Sequence, residues 1–418
     1  MTIMDGVRYQ QFPLRRFILE MTDGPFGSSL TSSHYSDEGA RVIRLGNIGS
    51  ARFKDMDAAY IPLEYFKKLQ RHQVLSGDLI IAGLGDGNHP VGRACVAPDH
   101  LGPAIVKADC FRVRLDEERL TNRYAAWALS SSFVSDQVAS LTRGSTRARV
   151  NLEGARDIQL PVPLVREQHR IADFLDIETA YIDRLVDTQR EFLSRLEERD
   201  SALLDIVIDE LIQSVGNQPF RRFIVGMDQG SSPQCDAAPA EDGEWGVLKV
   251  SCLRPGKFFP DQNKRLPEGE APNIRSEVRE GDLLITRANT PELVGSTAVV
   301  PAVRRKLLLS DKIFRIRVDS ALDPRYVALI ARGSRVRAIS SAASNGASQS
   351  MANIRFEEVK EWPIPLASLA TQKEVVARVD QTLRQVDHLR SKINHQLNLL
   401  HERRQALVTA AVTGQLKV

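Results

Sequence analysis

The chain repeats itself once, and this internal duplication limits its possible folds more than any other feature of the sequence. The motif RRFI at 15–18 returns at 221–224, and GDLII at 77–81 returns as GDLLI at 281–285. FRVR at 111–114 returns as FRIR at 314–317, in the same order and at an offset of about 204 residues. A period of this length is far longer than a solenoid repeat. The chain is therefore predicted to contain two copies of one domain, each followed by an appendage.

The two appendages are predicted to be long helices. No Gly or Pro occurs between Pro163 and Gly216, or between Pro365 and Gly414, and these two residues are the ones that helices tolerate least. Apolar residues recur along both stretches at alternating spacings of three and four, which is typical of a coiled-coil seam. Some 45 helical residues would form a rod roughly 65–70 Å long. The predicted seam residues are Ile171, Leu175, Ile182, Leu185, Leu196, Leu203, Val375, Val379, Val386, Leu389, Leu400 and Leu407.

The two helices carry opposite charge. Residues 166–216 hold 6 Lys and Arg against 13 Asp and Glu, a net −7, whereas residues 367–418 hold 8 against 4, a net +4. Opposite charge on matching seams favours pairing of the two helices within the chain over self-pairing, although each charged face could also be simply solvated. We expect an antiparallel pair related by a pseudo-twofold axis. Arg199 and Arg403 fall at equivalent seam positions, and we expect such polar positions to fix the register.

The globular portions are predicted to be mixed and strand-rich. Short β-favouring runs alternate with Gly, Pro, Asn and Asp turns, and one helix is expected in each copy, near 123–129 and 325–331. The predicted fold class is α+β, with two tandem domains separated by the two long antiparallel helices. The predicted boundaries are 1–165 for the first domain, 166–216 for the central helix, 217–366 for the second domain and 367–418 for the C-terminal helix.

No motif for catalysis or for a cofactor is convincing. The glycine cluster at 83–87 lies in the first copy only, since the second copy has TRANTP at 286–291, and a lone glycine loop is a weak signal. The four cysteines form no CxxC pair, which argues against a zinc ribbon and fits a reducing cytoplasm. We expect no metal, no bound cofactor, no membrane span and no secretory signal.

Three segments resemble the specificity (HsdS) subunit of type I restriction–modification enzymes. They are DGPFGSSL at 23–30, PLVREQHRIADFLDIETAYIDRL at 163–185 and ERRQALVTAAVTGQLKV at 402–418, and the order of parts also agrees over essentially the whole chain. The second copy departs from the pattern, with DQGSSPQ at 228–234 in place of the GPFGSS turn.

The resemblance implies two target-recognition domains, each reading one half of a split, asymmetric site in double-stranded DNA. It implies that the antiparallel helices set the unread spacing, that two methyltransferase subunits bind the helices, and that restriction/translocase subunits join for cleavage. Adenine methylation and ATP-driven cleavage, with S-adenosylmethionine, ATP and Mg, would belong to those partners, so this subunit would not be an enzyme on its own. Two alternatives stay open: a DNA methyltransferase or nuclease with an unrecognised catalytic site, and a purely structural coiled-coil adaptor.

Polar loops at matching places in the two copies are the candidate DNA contacts. Arg, Asn, Gln, Ser and Thr read base edges, and Lys, Arg and backbone N–H groups bind phosphates. A plain surface loop is the competing interpretation for each segment. The candidates are Arg143, Ser145, Thr146, Arg147, Arg149, Asn345, Ser348, Gln349, Arg287, Asn289, Asn88, Ser28, Ser29, Ser231, Ser232 and Gln234.

Overall fold

The chain forms two compact units in a computed structural model that describes residues 9–86, 89–141, 148–342 and 351–418. The first unit comprises residues 1–190 and 394–418, and the second comprises residues 191–393. The first unit therefore draws on two separate parts of the chain, and the second is one continuous stretch.

The first unit is built mainly from short strands. Its strands are β1 (Gln11–Pro13), β2 (Ile18–Thr22), β3 (Ala40–Ile43), β4 (Tyr60–Ile61), β5 (Gln73–Val74), β6 (Leu79–Ala82), β7 (Ala94–Val96), β8 (Ala104–Val106), β9 (Cys110–Leu115) and β10 (Gln159–Pro161). Its helices are α1 (Leu63–Lys68), α2 (Asn122–Leu129), α3 (Ser132–Leu141), α4 (Leu152–Arg156) and the first half of the long helix α5 (Val165–Val215).

The second unit repeats this order with more strands. They are β11 (Asn217–Pro219), β12 (Ile224–Gln229), β13 (Gly246–Leu248), β14 (Leu253–Arg254), β15 (Lys257–Phe258), β16 (Asn263–Arg265), β17 (Leu283–Thr286), β18 (Ala288–Asn289), β19 (Thr297–Val299), β20 (Leu307–Leu308), β21 (Ile313–Val318), β22 (Ala352–Asn353) and β23 (Pro363–Pro365). The helices are α6 (Pro324–Ile330), α7 (Ser334–Ala342), α8 (Phe356–Lys360) and the first half of α9 (Leu369–Val412).

The same antiparallel sheet occurs in both units. Its strand order is β2-β9-β6-β7 in the first unit and β12-β21-β17-β19 in the second. Both faces of the sheet are covered in the second unit: Leu283 and Ile285 join one core cluster, and Leu284 between them joins another. Because successive side chains on a strand point to opposite faces, a strand covered on both faces needs a continuous apolar run, which explains the repeated LII and LLI motifs.

The residues before these runs explain the rest of the repeated GDLII motif. Gly77 and Gly281 have φ of 85° and 88°, in the left-handed region that favours glycine. The next carboxylate closes the turn in each copy: Asp78 Oδ2 accepts from the Leu75 N–H at 2.8 Å, and Asp282 Oδ2 accepts from the Arg279 N–H at 2.9 Å. Each copy thus enters the central strand through one turn.

A buried glutamine joins each long helix to its domain. Gln168 and Gln372 are both 0% exposed. Gln168 Oε1 accepts from the Thr121 N–H at 2.9 Å, and its Nε2 donates to Arg119 O at 2.9 Å and Pro163 O at 3.0 Å. Gln372 makes the equivalent three bonds in the second unit, at 2.8, 2.9 and 2.9 Å. The start of each long helix is therefore fixed by backbone groups of its own domain.

The long helices pack antiparallel inside each unit. In the first unit Arg404 Nε donates to Asp183 Oδ1 at 3.0 Å, and the Tyr124 hydroxyl donates to Pro161 O and Val412 O, so the end of α9 lies beside the start of α5. In the second unit, Arg390 lies 2.9 Å from Asp200, while a later stretch of α5 (204–211) packs with an earlier stretch of α9 (375–383). The predicted fold class, with two mixed domains and two long antiparallel helices, is confirmed.

Eight of the twelve predicted seam residues are buried, and at Leu185 and Leu389 the next residue along is the less exposed one. Ile171, Leu175, Ile182, Leu196, Val375, Val379, Val386 and Leu407 are buried, and Leu203 and Leu400 are half-buried. Leu185 is only half-buried and Leu389 is 37% exposed, whereas the next residues along are less exposed: Val186 is buried and Arg390 is half-buried. Leu185 and Val186 are adjacent and both apolar, so either could continue the seven-residue period. The sequence pattern alone therefore does not fix which of the two is buried.

The register hypothesis needs the same correction. Arg199 and Arg403 are exposed. The charged residues that lie between the helices are the next ones along, Asp200 and Arg404, which pair with Arg390 and Asp183. Asp200 is 7% exposed, and a charge this buried is costly unless it is paired. Ion pairs, rather than the predicted Arg199 and Arg403, therefore fix the register within each unit.

Candidate nucleic-acid interface

Several candidate loops of the first unit lie at one end of its sheet. The antiparallel order β2-β9-β6-β7 brings together the chain after Thr22, before Cys110, after Ala82 and before Ala94. The equivalent end of the second sheet gathers the chain after Gln229, before Ile313, after Thr286 and before Thr297. We call these two regions the first and the second loop end.

Backbone hydrogen bonds tie the segments of the first loop end together. The Gly83 N–H donates to Asp109 O at 2.8 Å, and the Gly85 N–H donates to Ala148 O at 3.0 Å. The Asp109 N–H donates to Asp23 Oδ1 at 3.0 Å. The segments that follow β2 and β6, that precede β9 and that resume at 148 are therefore one connected surface.

Glycine is required where the chain enters each loop end. A Cβ on Gly24 would lie 2.1 Å from the backbone carbon of Lys107, and one on Gly230 would lie 1.8 Å from the backbone oxygen of Leu309. Backbone atoms cannot yield as a flexible side chain can, so any side chain at these positions would push two segments of the loop end apart. The two copies share this close approach even though the sequences that follow differ.

The buried side chain of Arg93 joins several segments of the first unit by hydrogen bonds. Arg93 is 5% exposed, and its guanidinium donates to the carbonyl oxygens of Ile48 at 2.8 Å, Leu45 at 2.9 Å and Pro90 at 3.0 Å. Bonds from a charged donor are stronger than neutral ones. No sequence motif marks Arg93, although a lone charge between Gly92 and the apolar run ACV is a signal that could have identified it.

Two carboxylates, Asp23 and Asp109, lie at the first loop end. Asp23 accepts hydrogen bonds from the Gly24 and Asp109 N–H groups, but burial dominates and raises the pKa of its carboxyl to about 6. The exposed Arg149 pairs with Asp109, with Nη2 2.8 Å from Oδ1. Asp109 has φ of 65°, a conformation that Asp tolerates better than most residues.

The second loop end is connected in the same way but with different side chains. The Arg287 N–H donates to Lys312 O at 2.7 Å, and the Ile354 N–H donates to Arg287 O at 2.8 Å. Lys312 directly precedes β21 as Asp109 precedes β9, and its Nζ lies 2.7 Å from Asp311, which accepts from the Ser232 hydroxyl.

The predicted DNA contacts divide into three groups. Ser28, Ser29, Arg149, Ser231, Ser232 and Gln234 are exposed, and Arg287 is half-buried, so their predicted role stays a prediction at surfaces that the structure brings together. Asn289 is 8% exposed, and its Oδ1 accepts from the Thr290 N–H at 2.9 Å, so little of its side chain is accessible to DNA. The remaining candidates lie outside the described residues: Asn88, Arg143, Ser145, Thr146, Arg147, Asn345, Ser348 and Gln349.

The described residues contain no cluster of three or more His, Cys, Asp or Glu side chains placed to hold a metal ion. Burial raises the pKa of the Cys95 and Cys252 thiols to about 12, which keeps them protonated and unreactive at neutral pH. In the same part of the chain, every helix is too short or too polar to cross a bilayer.

Comparison with known proteins gives one consistent result. The family model described as "Type I restriction modification DNA specificity domain" matches residues 61–192. The EcoEI specificity subunit of Escherichia coli is 31% identical over 173 residues, which are 41% of this chain and 29% of that protein. The EcoKI specificity subunit of Escherichia coli K12 is 24% identical over 400 residues, covering 92% of this chain and 84% of that one.

A solved structure shares the fold over nearly the full length. It is described as "Structural basis underlying complex assembly and conformational transition of the type I R-M system", with a TM-score of 0.67, 18% identity and 98% of both chains covered. At this identity the likeness concerns the fold alone.

Proposed function

We propose that this chain, which belongs to the family of type I restriction–modification specificity subunits, reads a bipartite, asymmetric DNA site and carries the subunits that modify and cut DNA. Each unit would read one half of the site through its loop end. The long helices would hold the two units and would bind the methyltransferase subunits, with the restriction/translocase subunits joining them.

The observation that carries the proposal is the duplicated loop end. Both units use the same four-stranded order, the same glycine close approach and the same backbone hydrogen bond across the loop end, from the Gly83 N–H to Asp109 O in the first and from the Arg287 N–H to Lys312 O in the second. The exposed polar side chains on this shared frame differ between the copies. A repeated frame with different contact residues is what two unlike half-sites in one DNA duplex require, because base identity is read by side chains and not by the frame.

The helices support the scaffolding part of the proposal. Apolar side chains stay exposed along α5, including Ile177 at 69%, Tyr181 at 55% and Ile206 at 57%. Exposed apolar groups on a long helix favour a protein partner. S-adenosylmethionine, ATP and Mg would act in those partners.

The test is co-expression with the methyltransferase subunit of the same system, followed by genome-wide mapping of methylated adenines. The expected result is co-purification and a motif in two parts separated by a fixed number of unread base pairs. Methylation at a single uninterrupted motif would contradict the proposal, and so would methyltransferase or nuclease activity of the purified chain alone.

A further inference from the structure

Arg149 is an exposed arginine of the first loop end whose guanidinium is held by a neighbouring carboxylate. Its side chain is 55% exposed at the first loop end, while its Nε donates to Asp109 Oδ1 at 2.9 Å and its Nη2 lies 2.8 Å from the same oxygen. One flat edge of the guanidinium, formed by Nε and Nη2, is thus held by a carboxylate. The plane of the group is fixed although the group stays accessible.

The carboxylate that holds Arg149 is itself fixed. The Asp109 N–H donates to Asp23 Oδ1 at 3.0 Å, and its carbonyl oxygen accepts from the Gly83 N–H at 2.8 Å. Its side chain is 23% exposed. Two neighbouring segments of the loop end therefore hold the backbone of Asp109, which limits the positions that Arg149 can take.

The second flat edge of the guanidinium, formed by Nη1 and Nη2, makes no hydrogen bond to the part of the chain that the structure describes. Two parallel N–H donors on a planar group match the O6 and N7 acceptors of guanine in the major groove. A phosphate would be a poor partner here, because it would lie close to the partly exposed Asp109 carboxylate and be repelled by it. An uncharged base edge avoids that repulsion.

The second loop end lacks this arrangement. Lys312 occupies the place of Asp109, since its carbonyl oxygen accepts the equivalent bond from the Arg287 N–H, and its ammonium lies 2.7 Å from the Asp311 carboxylate. An ammonium group is a point donor without a planar fork. Among the described residues of the two loop ends, an arginine held in this way therefore occurs at the first loop end.

We propose that Arg149, oriented by Asp109, reads a guanine in the half-site bound by the first unit and so determines specificity at that position. The inference rests on the proposed DNA-reading function and names one specificity-determining residue and one positioning residue for it.

The experiment compares the methylation motifs of variants in the complex with the methyltransferase subunit. The wild-type motif should contain a G·C pair at a fixed position of one half-site. In Arg149→Ala that position should accept other base pairs while the rest of the motif is kept, and affinity for the cognate duplex should fall about 10- to 100-fold. Asp109→Asn should relax the same position to a smaller extent.

A matched control lies at the opposite end of β9. Arg119 is 51% exposed and lies 3.9 Å from Asp116, so Arg119→Ala removes a similar exposed charge with a carboxylate neighbour, and its motif should be unchanged. If Arg149→Ala does not assemble, Arg149→Lys keeps the charge without the fork, and relaxation at the same guanine is expected.

Two outcomes would overturn the inference. One is a motif in Arg149→Ala and Arg149→Lys that keeps every guanine requirement of the wild type. The other is a loss of affinity that is equal for cognate and mismatched duplexes and is accompanied by a weaker salt dependence, as expected of a phosphate contact. Absence of a bipartite motif in the wild type would instead contradict the proposed function.

Discussion

Replacement of Gln168 by leucine tests whether a buried amide fixes the first long helix to its domain. Leucine has a similar volume and suits a site that is 0% exposed, but it cannot accept from the Thr121 N–H or donate to Arg119 O and Pro163 O. Three backbone groups would lose a partner in a site closed to water. A buried group left without a hydrogen bond costs about 1–3 kcal/mol.

The expected loss of stability is about 3 kcal/mol. It is smaller than the sum of three full penalties, because leucine buries additional apolar surface and because carbonyl groups tolerate a missing bond better than N–H groups do. Gln372→Leu should produce a loss of the same size, since Gln372 makes the equivalent three bonds at 2.8, 2.9 and 2.9 Å.

The assay is urea unfolding of the full chain, with hydrogen exchange at the Thr121 amide as a local measurement. Gln189→Leu is the control, because it makes the same substitution on the same helix at a half-buried position, and it should change the free energy of unfolding by less than about 1 kcal/mol. Equal effects of Gln168→Leu and Gln189→Leu, or an unchanged exchange rate at Thr121, would refute the anchoring role.

Two further substitutions test charges that the structure buries. Burial raises the pKa of Asp23 to about 6, so the folded chain binds more protons than the unfolded chain between about pH 4 and pH 6, and the contribution of Asp23 to stability falls as pH rises through this range. In Asp23→Asn the amide oxygen can still accept both hydrogen bonds. The free energy of unfolding of this variant should equal that of the wild type near pH 4 and exceed it by about 1 kcal/mol at pH 7, after allowance for partial exposure. Parallel pH–stability curves would contradict this. Arg390→Met leaves Asp200 buried without its partner at 2.9 Å and should lower stability by about 3 kcal/mol in the same urea assay. The double variant with Asp200→Leu should recover most of this loss. A double variant no more stable than the single one would show that the unpaired Asp200 charge is not the cause.

The duplicated frame could be predicted because its residues repeat for local physical reasons. Gly77 and Gly281 need a left-handed backbone, and the apolar runs after them need a strand that is covered on both faces. These requirements are the same in both copies. The same residue types therefore recur in the sequence at a nearly constant offset. The same holds for Gln168 and Gln372, which lie at equivalent positions and make equivalent bonds, although only the structure shows what they bind.

The phase of the helix seam could not be predicted because polar residues occupy part of it. Thr179 and Asp200 are 3% and 7% exposed, yet a count of apolar residues passes over both. Leu185 and Leu389 fit the alternating spacing of three and four residues, so the pattern favoured them over their neighbours Val186 and Arg390. Which face of a long helix is buried depends on the partner helix and on the domain that packs against it, and neither is visible in the local pattern.

The convergence of the candidate loops was equally hidden from the sequence. Segments after β2 and β6 and around Arg149 are far apart in the chain, and they meet only because the strand order β2-β9-β6-β7 places their ends at one side of the sheet. Strand order is a long-range property that short β-favouring runs do not reveal. Asn289 shows the converse, since a polar residue in a candidate loop is buried, which its sequence neighbours do not indicate.

One equivalent position differs between the two copies, and this difference supports the proposal that each domain reads its own half-site. Asp109 and Lys312 immediately precede the second strand of their sheets, but the first is a carboxylate that holds a planar guanidinium and the second is an ammonium group. If the duplicated domains served only to hold the helices, nothing in their packing would require this exposed pair to change. If each domain reads its own half-site, a change of donor geometry on an unchanged frame is the smallest step that gives the two domains different DNA targets, because specificity is a difference in affinity set by a few contacts.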